Sequence, residues 1–495
     1  MIAPELAIPL SLVVPLIGFV AIWRLGPSPN LREGATLVTG GALLTLVVSI
    51  FAAVGAGARP EVTVWTMING LSVSFHAEPL GAMFALIASG LWIVNSVYSV
   101  GYMRGTNEKN QTRFYMCFAV AIASAMGVAF AANLFTLFIF YEVLTLSTFP
   151  LVTHKGNDDA RRGGRVYLGI LMATSIGLLL PAIVWTYAIT QTTDFAPGGI
   201  LSAHADAAAP VAGVLLGLFA FGIGKAALMP VHPWLPNAMV APTPVSAFLH
   251  AVAVVKAGVF SILKIAVYIF GVDFLSETGV AEPYMWIAAG SILLASAIAM
   301  NKDNLKARLA FSTVSQLSYV TLGAMLATSM GVMGAGLQIA AHALGKMTLF
   351  MCAGAIYVAH HKTLVSQLDG MGRAMPITFG AFFVGALSII GLPPLAGSWP
   401  KFFLMLGAAD AGQLAVIAVL MISSLLNIVY LTPIVLRGFY VKAPEGEDRP
   451  SRISEAPLLC LAPIIFTALG CIVLFFLATD LAAFLEPIVD NGGAS

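Results

Sequence analysis

The chain has 495 residues, 59% hydrophobic and only 9% charged, with net charge +1 and mean hydropathy +0.93. Soluble domains carry about 25% charged residues, so a string of soluble domains is excluded, and the balanced charge argues against nucleic acid as a partner. Apolar runs long enough to cross a bilayer recur from end to end, which makes this an all-α polytopic membrane protein.

In chain order, fourteen candidate spans are expected at 3–23, 34–54, 78–102, 113–131, 133–153, 165–189, 211–236, 244–269, 284–300, 305–327, 333–359, 376–402, 412–436 and 457–480. The first has no basic segment before it and is expected to be a retained helix, not a cleaved signal peptide. Only "AAN" at Ala131–Asn133 parts spans four and five, so they must be antiparallel neighbours. With the N terminus placed outside, 18 of the 24 Lys and Arg residues fall in inner loops and only Arg59 in an outer one. That bias predicts both termini outside. The four cysteines, Cys117, Cys352, Cys460 and Cys471, have no ligand spacing and read as packing residues. The polar segment 443–455 reads as a solvated inner loop.

The informative residues are the ionisable ones inside spans. Each costs roughly 2.5–3.5 kcal/mol at mid-membrane on insertion scales, so each is a functional candidate. Lys225, Lys256 and Lys346 lie several turns from either end of their spans, Lys401 lies within the twelfth span, and Glu142 is the one acid placed as deeply as the first three. Glu142 also reads as a structural ion-pair partner of a lysine. Lys264, in the outer part of span eight, reads as a snorkelling side chain. Glu78 sits at an outer edge. A lysine held away from water loses part of its preference for the charged form, and a movable carboxylate restores it. A row of such lysines can therefore hand protons on, helped by histidines. His232, His250 and His342 are placed for this, and His342 and Lys346 are four residues apart on one helix face. Packing residues are the plainer reading of each histidine.

Two spans are broken. "MPVHPWLP" contains Pro230, Pro233 and Pro236, and "GLPPLAGSWPKFF" contains Pro393 and Pro394. Lys225 precedes the first break and Lys401 follows the second. Interrupted helices in corresponding places of two halves point to inverted repeats around a midplane ion site. Unwound backbone at that depth must be buried in protein or line a watery cavity.

The segments "YEVLTLSTFPLV", "GKAALMPVHPWLPNAMVAPTPVSAFLHAVAVVKAG", "ARLAFSTVSQLSYVTLG", "HALGKMTLF" and "GLPPLAGSWPKFFL" resemble the antiporter-like membrane subunit family. That family includes the D-type subunits of Mrp-type Na+/H+ antiporters, the proton-pumping membrane subunits of complex I and subunits of membrane-bound hydrogenases. The resemblance implies fourteen helices with two inverted five-helix repeats. The divisions would be 1–110 for the first three helices, 111–270 and 284–440 for the repeats, and 441–495 for an inner loop and the last helix. It also implies a proton path through Glu142, Lys225, His250, Lys256, His342, Lys346 and Lys401, with Glu142 paired to Lys225. Departures are "GSWPK" with Pro400 directly before Lys401, where the family often has Gly-Phe before that lysine, and Glu78 after His76, where an aspartate is common. The long lateral helix of the larger complex I member is not expected.

The function implied is proton translocation in a multi-subunit monovalent cation/H+ antiporter, in the role of an Mrp D-type subunit, in a bacterial-type inner membrane. Its partners would be other membrane subunits, protons, Na+ or K+, and the bilayer. No cofactor is expected, nor catalysis of its own. A proton-pumping subunit of a redox-driven complex, part of a translocase, is the alternative. A non-translocating scaffold is a further one.

Overall fold

The computed structural model describes residues 3–68, 70–442 and 453–489. Among these, eleven helices are long and apolar enough to cross a membrane. The three expected spans outside that set differ for physical reasons. The seventh and twelfth are interrupted, leaving helices of only 11 residues at Ala212–Gly222, 15 at Pro376–Ile390 and 13 at Ser398–Asp410. The tenth, Leu305–Met325, has 21 residues but carries Ser312, Thr313, Ser315, Gln316, Ser318 and Thr321, all buried. A helix covered by protein on every side can be polar where a lipid-facing one cannot. The chain is a multi-pass membrane protein.

Helix starts are set by local chemistry. Asn133, Asn157, Asn304 and Thr328 each cap a helix by accepting a backbone N–H with the side chain. The helices Gln111–Ala129 and Leu134–Val152, parted by the "AAN" link, pack against each other as expected. On the arginine-rich face, buried Glu33 joins Arg32 and Arg104, tying the second helix to the third.

Burial sorts the helices into a rim and a core. The first two, sixth and last two spans are only 33–39% buried over their most apolar windows, so they face lipid or other subunits. Thr243–Phe270 is 100% buried and Ser329–His360 is 94% buried. These two central helices pack together and carry His250, Lys256, Lys264, His342 and Lys346.

One element corrects the all-helical expectation. Glu61–Ile68 and Leu71–His76 form an antiparallel hairpin on the face opposite the arginines. Its signal was legible as an alternating pattern on either side of "NG" at 69–70. The hairpin docks on the link between spans four and five: His76 N–H donates to Phe130 O at 2.7 Å, and Asn133 Nδ2 donates to Ser72 O and Ser74 Oγ, both at 2.9 Å.

Most of the segment 443–455 lies outside the described residues. At its described end, Glu455 accepts from the amides of Ile377 and Thr378 at 2.6 and 3.2 Å, and so anchors the start of the Pro376–Ile390 helix.

Candidate functional site

The first break is tighter than a simple interruption. The Ala212–Gly222 helix ends, a single turn Gly224–Ala226 follows, and Lys225 sits inside that turn, not before the break. Pro230 and Pro233 lie in the linker that follows, and Pro236 lies in the four-residue helix Trp234–Asn237. The indole of Trp234 closes the loop by donating to Gly224 O at 2.8 Å. Lys225 is fully buried. Its Nζ donates to Tyr141 O at 2.8 Å and Thr145 Oγ1 at 2.6 Å, and lies over the Tyr141 ring.

The expected ion pair with Glu142 is not formed. Lys225 is held by the residue before Glu142 and by a hydroxyl one turn on, while both Glu142 carboxylate oxygens are buried without a hydrogen-bond partner. Glu142 itself is only half-buried, and its neighbours Val143 and Leu146 are exposed on the flank of their helix. It therefore stands at the edge of the subunit, one residue from the carbonyl that grips the lysine.

Deeper in the core, Lys256 Nζ lies 2.6 Å from His342 Nδ1, both buried. Lys346, one turn beyond His342, donates to Ser312 Oγ at 2.6 Å and reaches Leu309 O at 3.3 Å. Ser312 accepts from the Tyr430 hydroxyl at 2.7 Å, and that hydroxyl also contacts Asn427 Oδ1. Asn427 Nδ2 reaches Ile389 O at 3.5 Å. Across the second break, Lys401 Nζ donates to the next carbonyl, Ile390 O, at 2.7 Å and to Ser424 Oγ at 2.8 Å. Ile390 is the last residue of its helix, so the ammonium sits against the negative end of the helix dipole. Gly391 makes this approach possible: its φ is +89°, and a Cβ there would lie 2.6 Å from Lys401 Cδ. Pro393 and Pro394 occupy the loop between the two helices, as expected.

The structure thus gathers Lys256, His342, Lys346 and Lys401 along one polar thread through the core. It leaves His250 outside this thread: both ring nitrogens are buried without a partner, and the ring packs against Phe350 at 5.0 Å. His232 is half-buried beside Phe311 and joins no other candidate.

Several residues were not legible as site members. Ser312, Asn427 and Tyr430 are ordinary residues in sequence and join the thread only because their helices meet there. Tyr141 and Thr145 are the groups that hold Lys225. Lys264 does not snorkel: it is 1% exposed and forms a 3.1 Å ion pair with Glu78. Lys306, expected in an inner loop, donates to Ala241 O at 2.6 Å and lines a cavity of about 310 Å3 with Tyr102, Lys155, Tyr357 and Lys362. On that same arginine-rich face, burial and then Arg113 lower the His154 imidazole to about 4.

Chemically, the thread is a set of side-chain and backbone proton donors and acceptors. Among the described residues no three or more His, Cys, Asp or Glu side chains gather as metal ligands.

Comparison with known proteins agrees with this geometry. The family model described as "NADH:quinone oxidoreductase/Mrp antiporter, TM" matches residues 131–427, more than half the chain. The N-type subunit of NADH-quinone oxidoreductase from Desulforudis audaxviator is 31% identical over 84% of this chain and 82% of that protein. The A/B-type subunit of a probable K+/H+ antiporter from Rhizobium meliloti is 29% identical over 86% of this chain, which spans only 42% of it. Hydrogenase-4 component B of Escherichia coli is 30% identical over 83% of this chain and 63% of its own length. Among solved structures, the Mrp complex from Dietzia sp. has a chain with TM-score 0.86 at 22% identity, covering 99% of this chain and 98% of that one. At that identity the likeness speaks for the fold. With both broken spans and the buried lysines between them inside the matched region, the chain belongs to the NADH:quinone oxidoreductase/Mrp antiporter family of membrane subunits.

Proposed function

We propose that this chain is a proton-translocating membrane subunit of a multi-subunit monovalent cation/H+ antiporter, of the Mrp D type. The observation that carries the reading is the buried thread Lys256–His342, then Lys346–Ser312–Tyr430–Asn427, ending at Lys401. Burying four cations in a membrane core costs several kcal/mol each, and a subunit that only held its neighbours together would do better with apolar side chains. Glu142 at the subunit edge sets the charge balance at Lys225. The proton passes from there through His250, Lys256, His342 and Lys346 toward Lys401. The unpartnered nitrogens of His250 and oxygens of Glu142 are the points where water completes the path.

In this reading the segments 111–270 and 284–440 are inverted repeats of a fourteen-helix fold. The arginine-rich face lies inside a bacterial-type inner membrane, and both termini lie outside. Partners are the other membrane subunits of the complex, with Na+ or K+ as the exchanged cation.

One observation favours a second reading, a pump subunit of a redox-driven complex: the 31% identity to a quinone oxidoreductase subunit extends over 82% of that protein. The two are separated in inside-out vesicles carrying the whole complex. Collapse of a pH gradient on adding Na+ or K+, lost in Glu142→Ala and Lys225→Ala, supports the antiporter. A gradient built only by a redox substrate, and lost in the same variants, supports the pump. Activity unaffected by either substitution refutes both and leaves a scaffold.

A further inference from the structure

A second buried charge centre lies off the thread. The Glu78 and Lys264 side chains are 6% and 1% exposed and pair at 3.1 Å. The carboxylate also accepts from the amides of Leu80 and Gly81, each at 3.2 Å, and from the Tyr268 hydroxyl at 2.7 Å. The ammonium also donates to Ala131 O at 2.9 Å and lies over the Phe195 ring. These groups form the floor of a cavity of about 150 Å3. Its rim, Arg59, Pro197 and Pro487, is exposed on the face opposite the arginines. His76 stands in the wall. Burial and then Lys264 hold its imidazole below its ordinary value, against the opposing pull of Glu78 and Glu61. In its neutral form the ring keeps one nitrogen lone pair that can take a proton.

The placement of this cavity is what matters. Lys264 lies eight residues beyond Lys256 on the same buried helix, about 12 Å along its axis at 1.5 Å per residue. At the far end of that helix, Thr243 lines the cavity that holds Lys306. This span, buried over its whole window, therefore runs from the cavity that holds Lys306 at one face to the cavity above Glu78 and Lys264 at the other, with His250, Lys256 and Lys264 along it. A pair kept for stability alone would gain nothing from an open mouth, since a buried ion pair is often no better than well-packed apolar residues.

We propose that the cavity above Glu78 and Lys264 is an outer water-filled port, and that protons cross directly along the Thr243–Phe270 helix as well as sideways to Lys401. The Lys264 ammonium gives its proton to His76 or Glu78 at the port, and the neutral amine left behind is refilled from Lys256. The port rests on the proton-path reading.

The test uses the assembled complex in sealed vesicles carrying Pro197→Cys on the rim. A membrane-impermeant polymer maleimide is applied from either face, with wild type labelled in parallel because one native cysteine, Cys117, is only half-buried. Pro487→Cys on the opposite rim gives the same readout by a second route. Each variant before labelling is its own reference, so folding and proton movement as such are judged on the unmodified complex. The port predicts labelling from the outer face and a fall in proton movement of at least fivefold on labelling. Failure to label from that face, or full labelling with an unchanged rate, overturns it.

Discussion

Gly258→Ala is a small change with a large expected effect. Gly258 lies two residues past Lys256, where the Val254–Ile265 helix crosses the turn that carries Lys225. A Cβ at this position would lie 2.3 Å from the Ala226 amide nitrogen and 2.4 Å from the Lys225 carbonyl carbon. Ordinary contact begins at 3.4 Å, and both obstacles are backbone, so helix and turn must separate by roughly 1 Å. Overpacking of this kind costs about 1–3 kcal/mol. The effect on function is larger. Lys225 is positioned by hydrogen bonds of 2.6 and 2.8 Å, and a further ångström takes both beyond hydrogen-bond range. A 1 Å misplacement in a positioned reaction costs on the order of 100-fold. We expect proton movement by the purified complex in proteoliposomes to fall by roughly tenfold to 100-fold while the complex stays assembled. Gly169→Ala is the control, because its Cβ would meet nothing within 4 Å. A Gly258→Ala complex that transports at the wild-type rate would refute the claim that the Lys225 turn is held in place by that crossing.

Other outcomes follow from the same geometry. Tyr430→Phe removes the hydroxyl joining Ser312 to Asn427 and should slow proton movement about tenfold, roughly the 1.4 kcal/mol value of one strong link. An unchanged rate would take Tyr430 out of the path. Lys264→Met strands the Glu78 carboxylate and should lower stability by about 3–5 kcal/mol. Adding Glu78→Gln should recover part of that loss in thermal denaturation, and strictly additive losses would mean the two do not form a pair. His154 has its folded value lowered from 6.5 to about 4. The unfolded chain therefore takes up the proton first as the solution is acidified. Its contribution to stability is complete above pH 6.5 and is lost as pH falls from there through about 4. His154→Phe should flatten the melting temperature over that window, and an identical pH profile would count against it.

The membrane class, the positions of eleven long apolar helices and both breaks were legible in the sequence because they depend on local properties. Apolar run length, proline placement and the cost of a charge in hydrocarbon act within a few residues. The same logic marked Lys225, Lys256, Lys346 and Lys401 as interior, and all four are buried. Which groups meet was decided by the tertiary structure alone. Tyr268 reaches Glu78 across 190 positions, and Tyr430 reaches Ser312 across 118. Such contacts depend on how helices cross and which rotamer each side chain takes, and hydropathy carries no record of either. For that reason Lys264, read as a side chain stretching to the surface, is instead paired inside. Lys225 grips a carbonyl and a hydroxyl where a carboxylate was expected. A run of charges in an apolar sequence says that partners must exist, and only the packed helices say which ones they are.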